Sequence, residues 1–256
     1  MPRPQGLMWA KSMIAWGEMR KGLGLILFLL LAVPATLPAQ EEKTGYEIGV
    51  YAGQQDWKSR TFQIGPPQAV VPIGVGFAYK DRPVYGVRGN FLSHGHWAGE
   101  LSYSYQANTV VLTRQLFNPT SLKGGVHHFF YNQVFYPASY RRFLTPFITG
   151  GLGMAAYHLN DSALAQAADP RIYGLGVLKS NDKRVALNYG AGVKVNIVSQ
   201  FGIRGDFRHI FSDVPSYGLP KESPNPTQLV LPIQGKLQTY EFSLGIYFRK
   251  LSEGFK

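Results

Sequence analysis

The sequence predicts an exported, antiparallel β-barrel that crosses a membrane with eight strands, and three observations predict it. Between residues 45 and 249, four long polar connections (54 to 76, 107 to 120, 159 to 183 and 213 to 236) alternate without exception with three short ones (94 to 96, 136 to 142 and 199 to 200). The stretches between them read apolar at every second residue, which is the side-chain period of a strand. The chain opens with an export signal, yet beyond it has no run of about 18 apolar residues that would cross a bilayer as a helix. Membrane barrels have even strand numbers, long loops on one side and short turns on the other, and this chain has that layout.

The first 40 residues stand outside the barrel. Met19, Arg20 and Lys21 form a basic start, residues 22 to 33 (GLGLILFLLLAV) an apolar run, and residues 34 to 40 (PATLPAQ) a small-residue cleavage site. That is the build of a secretory signal peptide, too short in its apolar part for a transmembrane helix, which needs about 20 residues. Cleavage after Ala39 gives a signal of residues 1 to 39 and a mature chain from Gln40, and translation from Met19 would leave residues 1 to 18 upstream of the true start. There is no cysteine, which excludes structural disulfides, thiolate metal sites and a lipid-anchored cysteine. Net charge is +11, and because the first 40 residues carry four basic and one acidic group, the remainder holds +8. A basic excess on an exported chain points to polyanionic neighbours, here the phosphates of lipopolysaccharide and outer-membrane lipid. No interleaved basic and aromatic run suggests nucleic acid.

Strand one is 45 to 53, with Tyr46, Ile48, Val50 and Ala52 opposite Glu47, Gly49, Tyr51 and Gly53. Strand two, 77 to 93, sets Tyr85, Val87, Gly89 and Phe91 against Gly86, Arg88 and Asn90. Residues 70 to 80 (VVPIGVGFAYK) are read as its loop-borne extension, because a ninth strand would leave the two chain ends on opposite sides. Pro72 and Pro83 mark irregularities there. Strand three, 97 to 106, alternates Trp97, Leu101, Tyr103 and Tyr105 with Ala98, Glu100, Ser102, Ser104 and Gln106. Strands four (121 to 135) and five (143 to 158) carry aromatics on both faces, as in HHFFYNQVFY, so alternation assigns them no inward set. Strand six, 184 to 198, sets Val185, Leu187, Tyr189, Val193, Val195 and Ile197 against Ala186, Asn188, Gly190, Gly192, Lys194 and Asn196. Strand seven sets Phe201, Ile203, Phe207 and Phe211 against Gly202, Arg204, Asp206 and Arg208, and strand eight sets Tyr240, Phe242, Leu244, Ile246 and Phe248 against Glu241, Ser243, Gly245 and Tyr247.

Residue size decides which face looks inward. The polar face is rich in Gly, Ala, Ser and Asn with a few charges, which suits a narrow lumen, whereas a solvent face would be dense in Lys and Glu. The opposite face carries the Tyr, Trp and Phe that ring a lipid interface. Inward parity therefore collects Glu47, Arg88, Glu100, Lys194, Arg204, Asp206, Arg208 and Glu241 in one lumen. An eight-stranded interior is just wide enough for side chains, so these charges must pair with one another, and a plug of salt bridges is expected rather than a diffusion pore.

Three stretches resemble a known family: RRFLTPFITGGLGMAAYH (141 to 158), RVALNYGAGVKVNIVSQFGIRGDFRHIFSDVP (184 to 215) and YEFSLGIYFRK (240 to 250). They look like the outer-membrane β-barrel domain of the OmpA/OmpX-like superfamily, over residues 45 to 250. The resemblance implies the fold strongly and function weakly. It also implies that an aromatic of the last strand, Phe248 here, is read by the barrel-assembly machinery, with Arg249 to Lys256 following it.

Other motifs are weaker. Gly151, Gly153 and Ala156 match a dinucleotide fingerprint with Asp169 downstream, but that fingerprint works at a strand-to-helix turn, and glycines thinning a barrel wall explain the spacing better. His94 and His96 share a turn, His127 and His128 point to opposite faces, and His158 precedes Asn160 and Asp161. None has the spacing of a metal site. His209 with Ser212 is the one catalytic alternative, that of a lipid A deacylase-like hydrolase, and it requires the two within hydrogen-bond reach. In the loops, DSALAQAAD (161 to 169) has the composition of a short helix, and 213 to 236 is proline-rich.

The reading is a monomeric, non-enzymatic outer-membrane barrel without cofactor or metal. Its long loops are extracellular, both termini periplasmic, and its role lies in envelope structure or surface binding. The other alternative is a soluble, lipocalin-like exported barrel.

Overall fold

The computed structural model describes residues 44–58, 60–63, 74–93, 96–114, 117–138, 142–169, 178–218 and 236–251. The expected signal peptide, with Met19 and the cleavage site, lies outside the described residues. Among these the elements in chain order are β1 (Gly45–Trp57), β2 (Arg60–Gln63), β3 (Gly74–Tyr79), β4 (Arg82–Leu92), β5 (Trp97–Arg114), β6 (Phe117–Phe135), β7 (Leu144–Leu159), α1 (Asp161–Ala168), β8 (Asn181–Asn196), β9 (Phe201–Asp213) and β10 (Lys236–Leu251).

Eight of the strands close a ring in the order β5, β4, β1, β10, β9, β8, β7, β6, back to β5, every pairing antiparallel. Closure is made by β1 against β10 from Gly45↔Leu251 to Trp57↔Thr239. The predicted fold class is the observed one. Parity runs as expected on the outside: Ile48, Trp97, Leu187 and Phe242 are each more than half exposed, in the surface that faces lipid. A soluble lipocalin-like barrel would bury that set instead, and it does not.

The extension of strand two is interrupted. β3 and β4 lie end to end along one edge of β5, β3 against Val110–Arg114 and β4 against Ala98–Tyr105, with Lys80 and Asp81 between them. The break has a local cause. β1 pairs with β4 only as far as Gln55↔Arg82, and Asp81 Oδ1 takes over by accepting the Trp57 backbone N–H at 2.9 Å. β2 and β3 form a hairpin appended above the ring, while residues 70 to 73 lie outside the described residues.

The connection expected at 107 to 120 is corrected. Pairing of β5 with β6 continues from Ala107↔Gly125 to Arg114↔Phe117, with an irregularity between Leu112 and Arg114. A strand needs about 9 to 11 residues to cross a bilayer; β5 has 18 and β6 has 19, so both run on well past it. β1 likewise extends to Trp57, into the connection expected from residue 54.

The overshoot explains a second correction. The lumen is not filled by small and ionic groups alone. At the end where the long loops emerge, Trp57, Tyr79, Val110, Leu122, Val126, Phe130, Tyr157 and Ile210 form an apolar core inside the ring. The two ambiguous strands supply part of it, because Val126 and Phe130 point in while Phe129 and Tyr131 point out. Helix α1 closes this core with Ala163 and Ala167, one turn apart and buried, and Asp161 in its first turn complements the helix dipole. At the short-turn end, Leu92, Ala98, Val134, Tyr136 and Phe147 form a second, smaller apolar cluster.

Gly151 and Gly153 sit on the inner face of β7. A Cβ on Gly153 would lie 1.9 Å from the Phe129 carbonyl oxygen and 2.5 Å from the Phe130 ring, and one on Gly151 would lie 2.1 Å from Asn132. The glycines thus let β7 lie close against β6 and its inward rings, and the fingerprint reading has no strand-to-helix turn here. Gly153→Val is expected to block closure, so that refolding into detergent yields mostly protein whose gel band no longer shifts on boiling, whereas the outward-facing Leu152→Val refolds normally.

Candidate functional site: the lumen and the outer girdle

Every charged residue predicted to face inward is buried: Glu47, Arg88, Glu100, Lys194, Arg204, Asp206, Arg208 and Glu241. The barrel brings them together in two connected groups, because inward positions two apart on β9 (Arg204, Asp206, Arg208) stand above one another, lie beside Glu241 of the neighbouring β10 and face β4 and β5 across the lumen.

The first group centres on Asp206. Its carboxylate accepts from Arg88 and, bidentately at 2.9 Å, from Arg204 Nε and Nη2, with Arg208 Nη2 at 3.3 Å. Arg204 and Arg208 also reach Glu100, each at 2.6 Å, and Asn132 Nδ2 donates to Glu100 at 2.9 Å. Arg88 donates to Ser243 Oγ at 2.9 Å and lies 3.9 Å from Glu241, which accepts from Gln55 Nε2 at 2.6 Å. The Arg88 guanidinium lies 3.7 Å over the Tyr51 ring and that of Arg204 lies 4.3 Å over the Phe147 ring, so each cation meets an aromatic face where it lacks a carboxylate.

The second group centres on Glu47, nearer the short turns. It accepts from Lys194 Nζ, from Arg249 Nε at 2.7 Å and from Asn90 Nδ2 at 3.0 Å, with Arg249 Nη2 in ion-pair contact at 2.7 Å. Lys194 also donates to the Tyr136 hydroxyl at 2.6 Å. The sequence reading missed Arg249, although it has the inward parity of Glu241, Ser243, Gly245 and Tyr247. Its position after the last outward aromatic hid that. Also missed were Gln55 and Asn132, which donate to Glu241 and Glu100 of the first group, while Asn188, on the expected inward face, donates to Asn132.

Above these two groups the described inward residues are mostly uncharged, the Asp182–Arg184 pair on β8 apart. Trp57 Nε1 donates to Gln106 Oε1 at 2.8 Å, and His128 is buried with its ring stacked near Trp57 and Phe130. The Tyr157 and Ser212 hydroxyls are 2.6 Å apart. Beyond β9, Asp182 accepts the backbone N–H groups of Ser216 (2.7 Å) and Tyr217 (2.9 Å), pinning a turn in which Tyr217 and Gly218 both have positive φ. Burial pushes the pKa of the Tyr217 hydroxyl well above its ordinary value.

The catalytic alternative is not assembled. Ser212 is on the inward parity of β9 and engaged with Tyr157, whereas His209 is on the outward parity, its Nδ1 3.0 Å from the Tyr189 hydroxyl and its ring against Tyr240 and Phe211. The wall lies between them. Of the other histidines, His96 Nδ1 is 2.7 Å from the Tyr136 carbonyl oxygen, and His94 lies outside the described residues. Among the described residues, no three or more metal-capable side chains gather. Phe248 is outward on β10, its ring 5.2 Å from Phe201.

Removing the central carboxylate by Asp206→Ala leaves Arg88, Arg204 and Arg208 facing one another. That is expected to cost about 3–5 kcal/mol, read as a lower urea midpoint for unfolding from lipid vesicles. Asp213→Ala, which removes an exposed partner of Lys236, is expected to leave the midpoint almost unchanged.

The sequence profile of the family described as outer membrane protein beta-barrel domain matches residues 24–249. No curated protein sequence matches significantly. Among solved structures, the outer membrane protein OprG from Pseudomonas aeruginosa is similar at 13% identity with a TM-score of 0.51, over 84% of this chain and 99% of that one. Neisserial surface protein A is similar at 8% identity and a TM-score of 0.49, over 81% and 99%. The N-terminal β-barrel domain of Pseudomonas aeruginosa OprF is similar at 15% identity and a TM-score of 0.42, over 82% and 100%. Of these three, OprG alone is near enough in shape to bear on the argument, and the likeness is one of fold.

Proposed function

The chain belongs to the outer membrane protein β-barrel domain family, and from that membership we propose that it acts as a closed, non-enzymatic barrel serving envelope structure or surface binding. It is an outer-membrane protein of the OmpA/OmpX-like type. The observation that carries the proposal is the filled lumen. From Tyr136 and Phe147 at one end, through the Glu47 and Asp206 groups, to Trp57 and Tyr157 at the other, buried side chains succeed one another along the axis.

An even strand number puts both termini on the short-turn side, and by the pattern of outer-membrane barrels that side is the periplasm and the long connections are extracellular. Lipopolysaccharide and membrane lipid are the standing neighbours, and Phe248 is the residue offered to the assembly machinery. The monomer is the working unit.

The test joins two measurements on the refolded protein. Unheated protein in detergent is expected to migrate differently from boiled protein, and planar bilayers are expected to show no large, lasting single-channel conductance. A sustained conductance of porin size would overturn the filled lumen while leaving the barrel intact. Release of acyl chains from lipid A that is lost in His209→Ala would overturn the non-enzymatic reading.

A further inference from the structure

The outward face of β6, β7 and β8 changes character at one height. Below it stand Phe129, Tyr131, Leu152, Val185 and Leu187, about half exposed or more and apolar. Directly above come His127 on β6, His158 on β7 and Lys183 on β8, with Lys123 two pairs further along β6. The register fixes their arrangement. His127 and Lys183 flank Ala156 in one row, and His158 stands between Gly125 and Asn181 in the next. With strands about 4.8 Å apart, His127 and Lys183 are separated by roughly 10 Å.

The patch is built rather than scattered. The rings of His127 and His158 lie 5.3 Å apart, Tyr105 stands 4.8 Å from His127 and is stacked toward His158 at 6.3 Å, and the Tyr103 hydroxyl meets His127 Nδ1 at 2.9 Å. Gly125 makes this possible, since a Cβ there would lie 2.4 Å from His158 Cε1 and 2.8 Å from the Tyr105 ring. Among the described residues, no ion pair engages Lys123 or Lys183, and Asp213 on the neighbouring β9 is held by Lys236 at 2.7 Å. Asp182, next to Lys183, is turned to Ser216, Tyr217 and Arg184. Asp161, exposed at the start of α1, makes no ion pair with Lys123 among the described residues.

We propose that Lys123, His127, His158 and Lys183, with the hydroxyls of Tyr103 and Tyr105, form a binding site for a phosphomonoester on the headgroup of an outer-leaflet glycolipid, the phosphate of lipid A. This deepens the functional reading and rests on its placement of the long connections outside. The chemistry matches the height: the apolar band ends where acyl chains give way to headgroups, and there the wall presents ammonium groups, imidazoles and phenolic donors. The apolar side chains beneath receive the acyl chains of the same lipid.

The experiment uses the refolded full chain in nanodiscs and measures retention of bisphosphoryl lipid A, of the same lipid A with both phosphates removed, and of phosphatidylglycerol. Tight retention of the bisphosphoryl form only is expected. The double substitution Lys123→Gln with Lys183→Gln is expected to weaken it about tenfold, and His127→Ala with His158→Ala to weaken it further, with the heat-shifted band unchanged in both. Equal retention of the dephosphorylated lipid or of phosphatidylglycerol would overturn the proposal, as would a lysine double variant that binds like the wild type. Gly125→Val, which crowds the Tyr105 and His158 rings, is a second probe should a histidine variant fail to fold. Loss of the heat shift in the unaltered protein would instead break the barrel reading on which this one rests.

Discussion

In a bilayer core no water meets an unpaired backbone amide, so every strand edge must find another strand, and the whole structure follows from that requirement. β1 meets it by pairing β4 on one side and β10 on the other, and the ring has no free edge over the membrane-facing height. Once the ring is closed at eight strands, its radius is set, and the interior must be filled by whatever the inward parity supplies. Polar inward residues are then obliged to satisfy each other, which is why Asp206 gathers three arginines and Glu47 gathers a lysine, an arginine and an asparagine. The charge network is a consequence of closure and does not hold the ring shut by itself. Replacing paired buried ions with well-packed apolar groups is often tolerated, whereas removing one partner is not.

Much of this could be read in the chain beforehand, for physical reasons that differ between residues. The two-residue period survives any tertiary context in which one face meets lipid and the other a lumen, so the inward charges, from Glu47 to Glu241, were legible from parity and from the small size of their neighbours. Arg249 obeyed the same parity and was missed only because it follows the last outward aromatic. Residues 121 to 158 were not legible, because there the inner face is apolar as well: Val126, Phe130 and Tyr157 face a core, and alternation carries no information where both faces are greasy.

The same limit explains the misplaced loop. Residues 107 to 120 are polar enough to read as a connection, yet they pair as strand because β5 and β6 continue outward beyond the bilayer. His209 and Ser212 illustrate the converse. Three residues apart, they looked near enough to cooperate, but an odd spacing on a strand puts side chains on opposite faces of the wall.

One barrel therefore contains two kinds of interior with different physical origins. Over the bilayer height the packing partners outside are hydrocarbon, and the lumen is governed by ion pairs. The core around Trp57, Tyr157 and α1, beyond that height, is held by exclusion of solvent, as in an ordinary globular domain. Because exclusion of apolar groups from water loses strength as temperature falls, cooling weakens what holds the cap at the long-connection end, whereas the spanning wall is held by backbone pairing that hydrocarbon makes obligatory. The molecule carries its most cold-sensitive part where its long connections emerge.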